Sequence, residues 1–203
     1  MKNQNYARVT FNNSKLGRSI ASINMPAGIT CRPNAPCATQ GCYAKKGNWL
    51  FQNVRNSLSK NLEAYKNDPK RFFDSVVEQT FLCKYVRWHS SGDIVDDEYF
   101  KGMCKVARKN KDTRYLCFTK TFEIINNYLD EGHRIPSNLK IVLSAWNDWK
   151  PENPYNLPTT YVRGKGFNDE NIPEGCIPCK GKCYECVACW QLKKGQNVVF
   201  DKH

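Results

Sequence analysis

A short segment near the C-terminal end contains most of the unusual chemistry of this chain. The stretch "CIPCKGKCYECVACW" places Cys176, Cys179, Cys183, Cys186 and Cys189 within fifteen residues. Such a segment has too few apolar side chains to bury a core of its own, so it needs cross-links or metal to hold a shape. The chain has eleven cysteines, and an odd number excludes a complete set of intrachain disulfides. The segment therefore predicts a metal site, with these five cysteines as its candidate ligands.

The spacing of these thiols favours an iron–sulfur cluster over zinc. Cys183, Cys186 and Cys189 form a C-x2-C-x2-C run, which is the spacing that bacterial ferredoxins use for a [4Fe–4S] cluster. Cys176 and Cys179 are alternatives for the fourth ligand. Zinc is the competing metal, because two C-x2-C pairs also resemble zinc knuckles. The two pairs are separated by only three residues, whereas zinc ribbons place about fifteen or more between them.

A second group of thiols lies far upstream, in the stretch "CRPNAPCATQGCYA". It contains Cys31, Cys37 and Cys42, which we predict to be metal ligands. Three ligands without a local fourth indicate either a structural metal completed from elsewhere or a cluster with one iron open to an exogenous ligand. Three other cysteines lie among apolar neighbours and are expected to be small buried residues: Cys83, Cys104 and Cys117.

The remaining sequence alternates between strand and helix patterns. Strands are predicted within 19–28, 84–93, 114–120 and 138–146, with helices between them. This order predicts an α/β fold with mainly parallel strands. About four βα units are too few for a closed eight-stranded barrel, so we predict a partial, open βα barrel over residues 1–150. Residues 151–203 are predicted to be a cysteine-rich, metal-stapled tail with little regular structure, packed on that barrel.

In a parallel sheet, functional groups collect in the loops after the C-terminal ends of the strands. Those loops are the upstream cysteine group, "HSSGD", "TKT" and "SAWND". The polar side chains expected at this edge are His89, Ser90, Ser91, Asp93, Lys120, Ser144 and Asp148. Each also has an ordinary structural explanation, such as capping of the next helix by Asp93 or Asp96. Four tryptophans are expected to pack in the core or over the site: Trp88, Trp146, Trp149 and Trp190.

The charge balance bears on the partners of the chain. There are 31 Lys and Arg residues against 19 Asp and Glu, a net charge of +12. Such a charge favours nucleic acid or an acidic protein surface as a partner, and it is equally typical of a solubilising surface. No apolar run is long enough to cross a membrane and no secretory signal is evident, so we expect a cytoplasmic protein without a membrane partner.

Several stretches together resemble the phage gene product 88 domain family. They are "SKLGRSIASINMPAGITC", "CYAKKG", "VRWHSSGDIVDDEYF", "CFTKT" and "CVACW", and the resemblance covers most of the chain. It implies a phage or prophage origin, and hence a host-cell cytoplasm, rather than a particular activity.

The layout is also similar, more distantly, to that of radical S-adenosylmethionine enzymes. That resemblance implies a partial barrel whose first loop holds a [4Fe–4S] cluster with an open iron that binds S-adenosylmethionine, and a C-terminal auxiliary cluster. Cys31, Cys37 and Cys42 match the first loop, although this loop is longer, C-x5-C-x4-C instead of C-x3-C-x2-C. The residues that the resemblance places at the cofactor are Ser91, Gly92 and Asp93, with Lys120 as a partner for an anionic group.

Two functions from different classes follow as hypotheses. The first is an iron–sulfur protein with one or two [4Fe–4S] clusters and a radical S-adenosylmethionine-like activity, with S-adenosylmethionine as its small-molecule cofactor. The alternative is a basic binding protein, stapled by zinc or by clusters, that acts on nucleic acid or on a host protein. An electron-transfer module is a third and weaker hypothesis.

Overall fold

Eight strands form a single sheet in the computed structural model, which describes residues 6–202. The strands are β1 (Val9–Thr10), β2 (Ile20–Ile23), β3 (Tyr85–Trp88), β4 (Arg114–Thr119), β5 (Leu139–Ser144), β6 (Thr159–Arg163), β7 (Ile177–Pro178) and β8 (Asn197–Asp201). Their order is β1-β2-β3-β4-β5-β6-β8-β7. Every pair is parallel except β1 with β2. The sheet is therefore open, and most of its strands lie in the order of the chain.

Six α-helices occur within residues 6–202. They are α1 (Cys37–Gln40), α2 (Gln52–Asn67), α3 (Pro69–Thr80), α4 (Asp97–Lys109), α5 (Phe122–Asp130) and α6 (Cys183–Cys186). Asp68 caps α3 by accepting a hydrogen bond from the Arg71 amide at 2.9 Å, and Pro69 occupies the first turn, where its missing N–H costs nothing. None of these helices is long and apolar enough to cross a membrane.

The two faces of the sheet bury different parts of the chain. Side chains alternate along a strand, so Val86 and Trp88 pack with helices α2 to α5 in the larger apolar cluster. Leu116 and Val142 point to the opposite face, called the inner face below, where they pack against Trp190 and its neighbours from the cysteine-rich segment. The Trp190 indole also donates a hydrogen bond to the Val86 carbonyl at 3.1 Å. The helices thus cover one face, and the cysteine-rich segment covers the other.

The α/β fold and the mainly parallel sheet confirm two predictions from the sequence. The sheet is open, and its curvature into a partial barrel stays a prediction. The expectation that residues 151–203 have little regular structure is wrong, because β6 and β8 are five-residue strands of the main sheet. Strand β6 pairs with β5, and β8 pairs with β6. These segments satisfy a sheet edge that would otherwise expose unpaired backbone groups.

Candidate functional site

A cavity of about 430 Å³ opens on the inner face of the sheet. Three upstream cysteines line it, and these are called the loop thiols: Cys31, Cys37 and Cys42. Three cysteines of the C-terminal segment line it as well: Cys179, Cys183 and Cys189. The fold therefore brings two groups of thiols, far apart in sequence, to the walls of one cavity.

The loop thiols lie within electrostatic range of one another. All three are partly buried. Burial raises the pKa of Cys31 and of Cys37, and the neighbouring thiols raise both pKa values further. The charge of Lys120 opposes the rise in the pKa of Cys37. The Gly28 amide donates a hydrogen bond to the Cys31 sulfur at 3.3 Å. The three side chains thus form a mutually coupled set beside a cationic group.

Hydrogen bonds attach the loop that carries these thiols to the ends of the strands. The Tyr43 hydroxyl donates to the carbonyl of Ser90, just after β3. The Trp146 indole, just after β5, donates to the Gln40 side chain at 2.6 Å. The loop is therefore tied to the carboxyl edge of the sheet at two separate places.

The segment after β3 packs closely on the loop that follows β2 and carries the loop thiols, called the thiol loop below. Gly92 has a φ of +76°, and a Cβ added there would lie 2.6 Å from both the Met25 carbonyl oxygen and the Thr30 hydroxyl oxygen. A real side chain has no room at that distance, and positive φ already disfavours it. Thr30 in turn accepts a hydrogen bond from the Asp93 amide at 3.1 Å. Glycine is thus required at position 92 for both steric and conformational reasons.

Asp93 connects the loops after β3 and β4. Its buried carboxylate accepts hydrogen bonds from the Ile94 amide at 2.8 Å, the Thr119 hydroxyl at 2.7 Å and the Lys120 amide at 2.8 Å. Burial raises the pKa of Asp93, and these donors act against that rise. The cap of α4 is Asp96, which accepts from the Tyr99 amide. Asp96 is therefore the helix cap, whereas Asp93 lines the cavity.

Two buried hydroxyls in the same segment lack partners. Ser90 and Ser91 are 5% and 2% exposed, and neither hydroxyl oxygen has a hydrogen-bond partner among residues 6–202. Both residues line the cavity. A buried hydroxyl without a partner is costly, so these two atoms are available to a polar ligand.

His89 is a neutral histidine in the wall of the cavity. Burial lowers its pKa to about 3, with a smaller contribution from the charge of Arg87. Its ring nitrogens lie 3.3 Å from the Tyr99 hydroxyl and 3.6 Å from the Cys117 sulfur. Its φ of +59° is left-handed, which is uncommon for a residue with a side chain and turns the chain out of β3.

Four cysteines of the C-terminal segment form a coupled set, called the tail thiols: Cys179, Cys183, Cys186 and Cys189. Burial, together with the charges of the other three thiols, raises the pKa of Cys189 to about 12. The charge of Cys176 is not among the causes that shift the pKa values of Cys183 and Cys189. It contributes instead to the raised pKa of Tyr161, which burial mainly causes. Cys179 also lines the cavity and packs against the inner-face apolar cluster with Cys183 and Cys189, whereas Cys176 does neither. These placements favour Cys179 over Cys176 as the companion of the C-x2-C-x2-C run.

The backbone of the C-terminal segment is joined to the rest of the chain near its thiols. The Cys179 amide donates to the Val199 carbonyl at 2.9 Å, and the Cys183 amide donates to the Lys15 carbonyl at 3.0 Å. Val187, between Cys186 and Cys189, has a left-handed φ of +44°. A β-branched residue in that region is strained, and here it ends α6 and turns the chain toward Cys189.

Most of the polar residues expected at this edge line the cavity: His89, Ser90, Ser91, Asp93, Lys120 and Ser144. Asp148 does not line the cavity. Its carboxylate accepts a hydrogen bond from the Asn171 side chain at 2.6 Å. Trp88 and Trp190 are buried in the two apolar clusters, and Trp149 packs on Phe122. Trp146 lines the cavity.

Two cations of the cavity wall, Arg87 and Lys15, were not predicted from the sequence. Arg87 lies between buried residues of β3, and its guanidinium lies 4.9 Å from the centre of the Phe118 ring. Burial raises the pKa values of Cys183 and Cys189, and the charge of Arg87 opposes that rise. The available signal was the strand alternation in "YVRW", which places Arg87 on the face opposite Val86 and Trp88.

The family model for Gene product 88 matches residues 1–164. The chain belongs to the Gene product 88 family. The match bears out the resemblance to that phage family, and it includes the loop thiols and strands β1 to β6 but ends before the tail thiols. No curated protein and no solved structure matches the chain. The resemblance to radical S-adenosylmethionine enzymes therefore stays a prediction for this Gene product 88 family protein.

Metal binding by this Gene product 88 family protein also stays a prediction. Within residues 6–202, no three or more His, Cys, Asp or Glu side chains form a group that could hold a metal ion. All eleven cysteines are unpaired, so the thiols are chemically available. The loop thiols and tail thiols are residues of the type that ligates iron or zinc, and the members of each group lie near one another. Their side chains are not gathered around one common metal position.

Proposed function

We propose that this protein is an iron–sulfur protein with a radical S-adenosylmethionine-like activity. The loop thiols hold one [4Fe–4S] cluster, the tail thiols hold a second, and S-adenosylmethionine binds in the cavity between them. One observation carries the proposal: thiols of both groups line the same cavity. That arrangement is what a partial barrel with an auxiliary cluster requires, and no local feature of the sequence contains it.

The surroundings of the loop thiols support an open cluster. A three-thiol set leaves one iron without a protein ligand, as catalytic metal sites leave a position for substrate. The neighbouring wall holds the unpartnered hydroxyls of Ser90 and Ser91 and the carboxylate of Asp93. These groups match a cofactor that presents amino and hydroxyl groups.

Each predicted cofactor residue has a distinct role on this proposal. Ser91 offers its free hydroxyl, and Gly92 lets the two loops approach each other. Asp93 is held in place by three donors and faces the amine, while Lys120 faces a carboxylate. When bound, a cluster of this kind supplies single electrons, and the residues of the cavity orient the cofactor and exclude water.

The spacing of the tail thiols favours a cluster over zinc. Cys183, Cys186 and Cys189 form the C-x2-C-x2-C run typical of a [4Fe–4S] site, whereas the two C-x2-C pairs are too close together for a zinc ribbon. On this proposal the thiols close around the clusters as these are inserted, and they release their protons because only thiolates ligate.

The first test is anaerobic purification, followed by a visible spectrum and quantification of iron, sulfide and zinc. We expect a brown protein with about eight irons and eight sulfides per chain, the content of two cubane clusters. Addition of S-adenosylmethionine should then perturb the electron paramagnetic resonance spectrum of one reduced cluster. A colourless protein that contains zinc would contradict the proposal.

A second candidate function is binding of nucleic acid or a host protein. Beside the cavity, Tyr43, Leu50 and Phe51 are exposed, and Lys45 and Lys46 are exposed in the same segment. Aromatic side chains next to cations are typical of surfaces that bind single-stranded nucleic acid. Binding of single-stranded DNA or RNA that weakens steeply with salt would support this function, and failure to bind at low salt would count against its nucleic-acid form.

A further inference from the structure

A pair of cations rests on a pair of aromatic rings at the inner face of the sheet. Arg87 lies 4.9 Å from the centre of the Phe118 ring, and Lys15 lies 5.3 Å from the centre of the Phe200 ring. The two rings meet edge to face with their centres 5.7 Å apart. All four residues line the cavity, and they are called the cation–ring quartet below.

The cations of the quartet have no carboxylate partner among residues 6–202. No ion pair there includes Arg87 or Lys15. The Nε atom of Arg87 is buried and has no hydrogen-bond partner in the described part of the chain. Its neighbours across the sheet are Ser22 on β2 and Leu116 on β4. The half-buried guanidinium thus has one N–H donor shielded from water without an acceptor, which is costly unless a ligand supplies one.

The carboxylates of the cavity wall do not pair with the cations of the quartet. The two in the wall are Asp93 and Asp201. Asp93 accepts from three donors, and Asp201 pairs with Arg163 at 2.6 Å. The positive charge of the quartet therefore has no carboxylate partner in the cavity wall.

We propose that the quartet binds the oxyanion of the substrate, and that the substrate carries a phosphate or carboxylate group next to an apolar or aromatic body. Arginine presents a planar fork of N–H donors that matches either oxyanion, and the two rings cover the adjoining apolar part. The inference rests on the proposed function, because it names the substrate class of the same cavity. Arg87 lines the same cavity as the loop thiols and as Cys183 of the tail, so on this proposal the anion shares the cavity with both thiol groups.

Phenyl phosphate and benzoate are suitable probes, since each joins an oxyanion to a ring, and benzyl alcohol is the neutral control. Their binding to the protein as purified is measured by calorimetry, with the iron and zinc content of the same sample. We expect one of the two anions to bind more tightly than benzyl alcohol, and R87Q to weaken that binding by about tenfold or more. K15Q, which leaves β3 unchanged, should weaken it several-fold. K105Q removes the same charge from the exposed surface of α4 and should bind like the wild type.

The outcomes separate this inference from the proposed function. Tighter binding of phenyl phosphate assigns a phosphoester substrate, and tighter binding of benzoate assigns a carboxylic acid. Neither anion binding better than benzyl alcohol would overturn the inference, as would wild-type binding by both R87Q and K15Q. If Arg87 serves only to balance thiolate charge, R87Q lowers the iron content and K15Q leaves probe binding unchanged, which also overturns it. A zinc protein that binds a probe through Arg87 retains the oxyanion site while the iron–sulfur proposal fails.

Discussion

The loop thiols and the tail thiols border one cavity in very different surroundings. The loop thiols lie beside buried polar groups, namely Ser90, Ser91 and Asp93. Within the tail group, Cys179, Cys183 and Cys189 pack against an apolar cluster on the inner face, which includes Leu116 and Trp190. The first set has three members, and the second has four that act on one another electrostatically.

This difference indicates different roles for the loop thiols and the tail thiols. Three thiols beside polar groups leave a coordination position and a polar pocket for an exogenous ligand. Four thiols supply a complete protein ligand set, and an apolar neighbourhood is typical of structural or electron-transfer centres. On the proposed function, chemistry belongs to the loop thiols, and support or electron supply belongs to the tail thiols.

The largest expected effect is that of Cys37→Ala on the loop group alone. We expect iron to fall from about eight to about four per chain, because the tail thiols are unaffected. The response to S-adenosylmethionine should be lost completely. Cys83→Ala is the matched control, since Cys83 is partly buried and does not line the cavity. Full iron content in Cys37→Ala would remove the loop thiols from the assignment.

A paired comparison of Cys186→Ala and Cys176→Ala tests the membership of the tail group. Cys186→Ala should lose about half of the iron and lower the melting temperature, because the tail covers the inner face. Cys176→Ala should retain both, since its thiol does not act on Cys183 or Cys189. Iron analysis and thermal melts of both variants check this. The opposite pattern, with iron lost only in Cys176→Ala, would make Cys176 a ligand.

Gly92→Ala tests whether backbone packing supports the loop group. A Cβ would lie 2.6 Å from two atoms of the thiol loop at a φ of +76°, so we expect a loss of about 3 kcal/mol in the free energy of unfolding. Gly132→Ala is the control, with a φ of +79° but open space around its Cβ, and should cost about 1 kcal/mol. Urea unfolding measures both. Equal costs would show that conformation alone, and not close approach, requires glycine at 92.

The smallest expected effect is the pH dependence contributed by His89. Its folded pKa is about 3, below the ordinary value of 6.5, so the unfolded chain takes up the proton first as the pH falls. The stability that comes from the neutral ring is fully present above about pH 6.5 and is lost at up to about 1.4 kcal/mol per pH unit toward pH 3. His89→Gln should flatten the pH profile of urea unfolding between about pH 7 and pH 5, whereas a variant of the exposed His133 should not. An unchanged profile in His89→Gln would show that folding does not lower the pKa of His89.

The local elements of the fold were predictable from the sequence. Asp68 and Pro69 are residue types typical of a helix cap and first turn, and α3 begins there. The strand expected within 84–93 appears as β3, followed by a polar loop. These features depend on short-range spacing and backbone preferences, which a linear sequence contains.

Strands β6 and β8 were missed because their structure depends on partners distant in the chain. Strand β8, Asn197–Asp201, is joined to the sheet through β6, which pairs in turn with β5. Proline and glycine around these segments suggested irregular structure. Pairing at the sheet edge overrode that local preference, as tertiary context commonly does for strands.

The cysteine spacing and the strand–helix alternation were determined by the sequence itself, and with them the α/β class, the two candidate thiol groups and the polar loops after β3 and β4. Only the tertiary structure decided that both groups face one cavity, that Cys179 lines that cavity whereas Cys176 does not, and that the rings beneath Arg87 and Lys15 meet on the inner face. The reason is physical. Spacing along the chain determines which side chains share a loop or a strand face, but contact between loops depends on which strands pair and in what register.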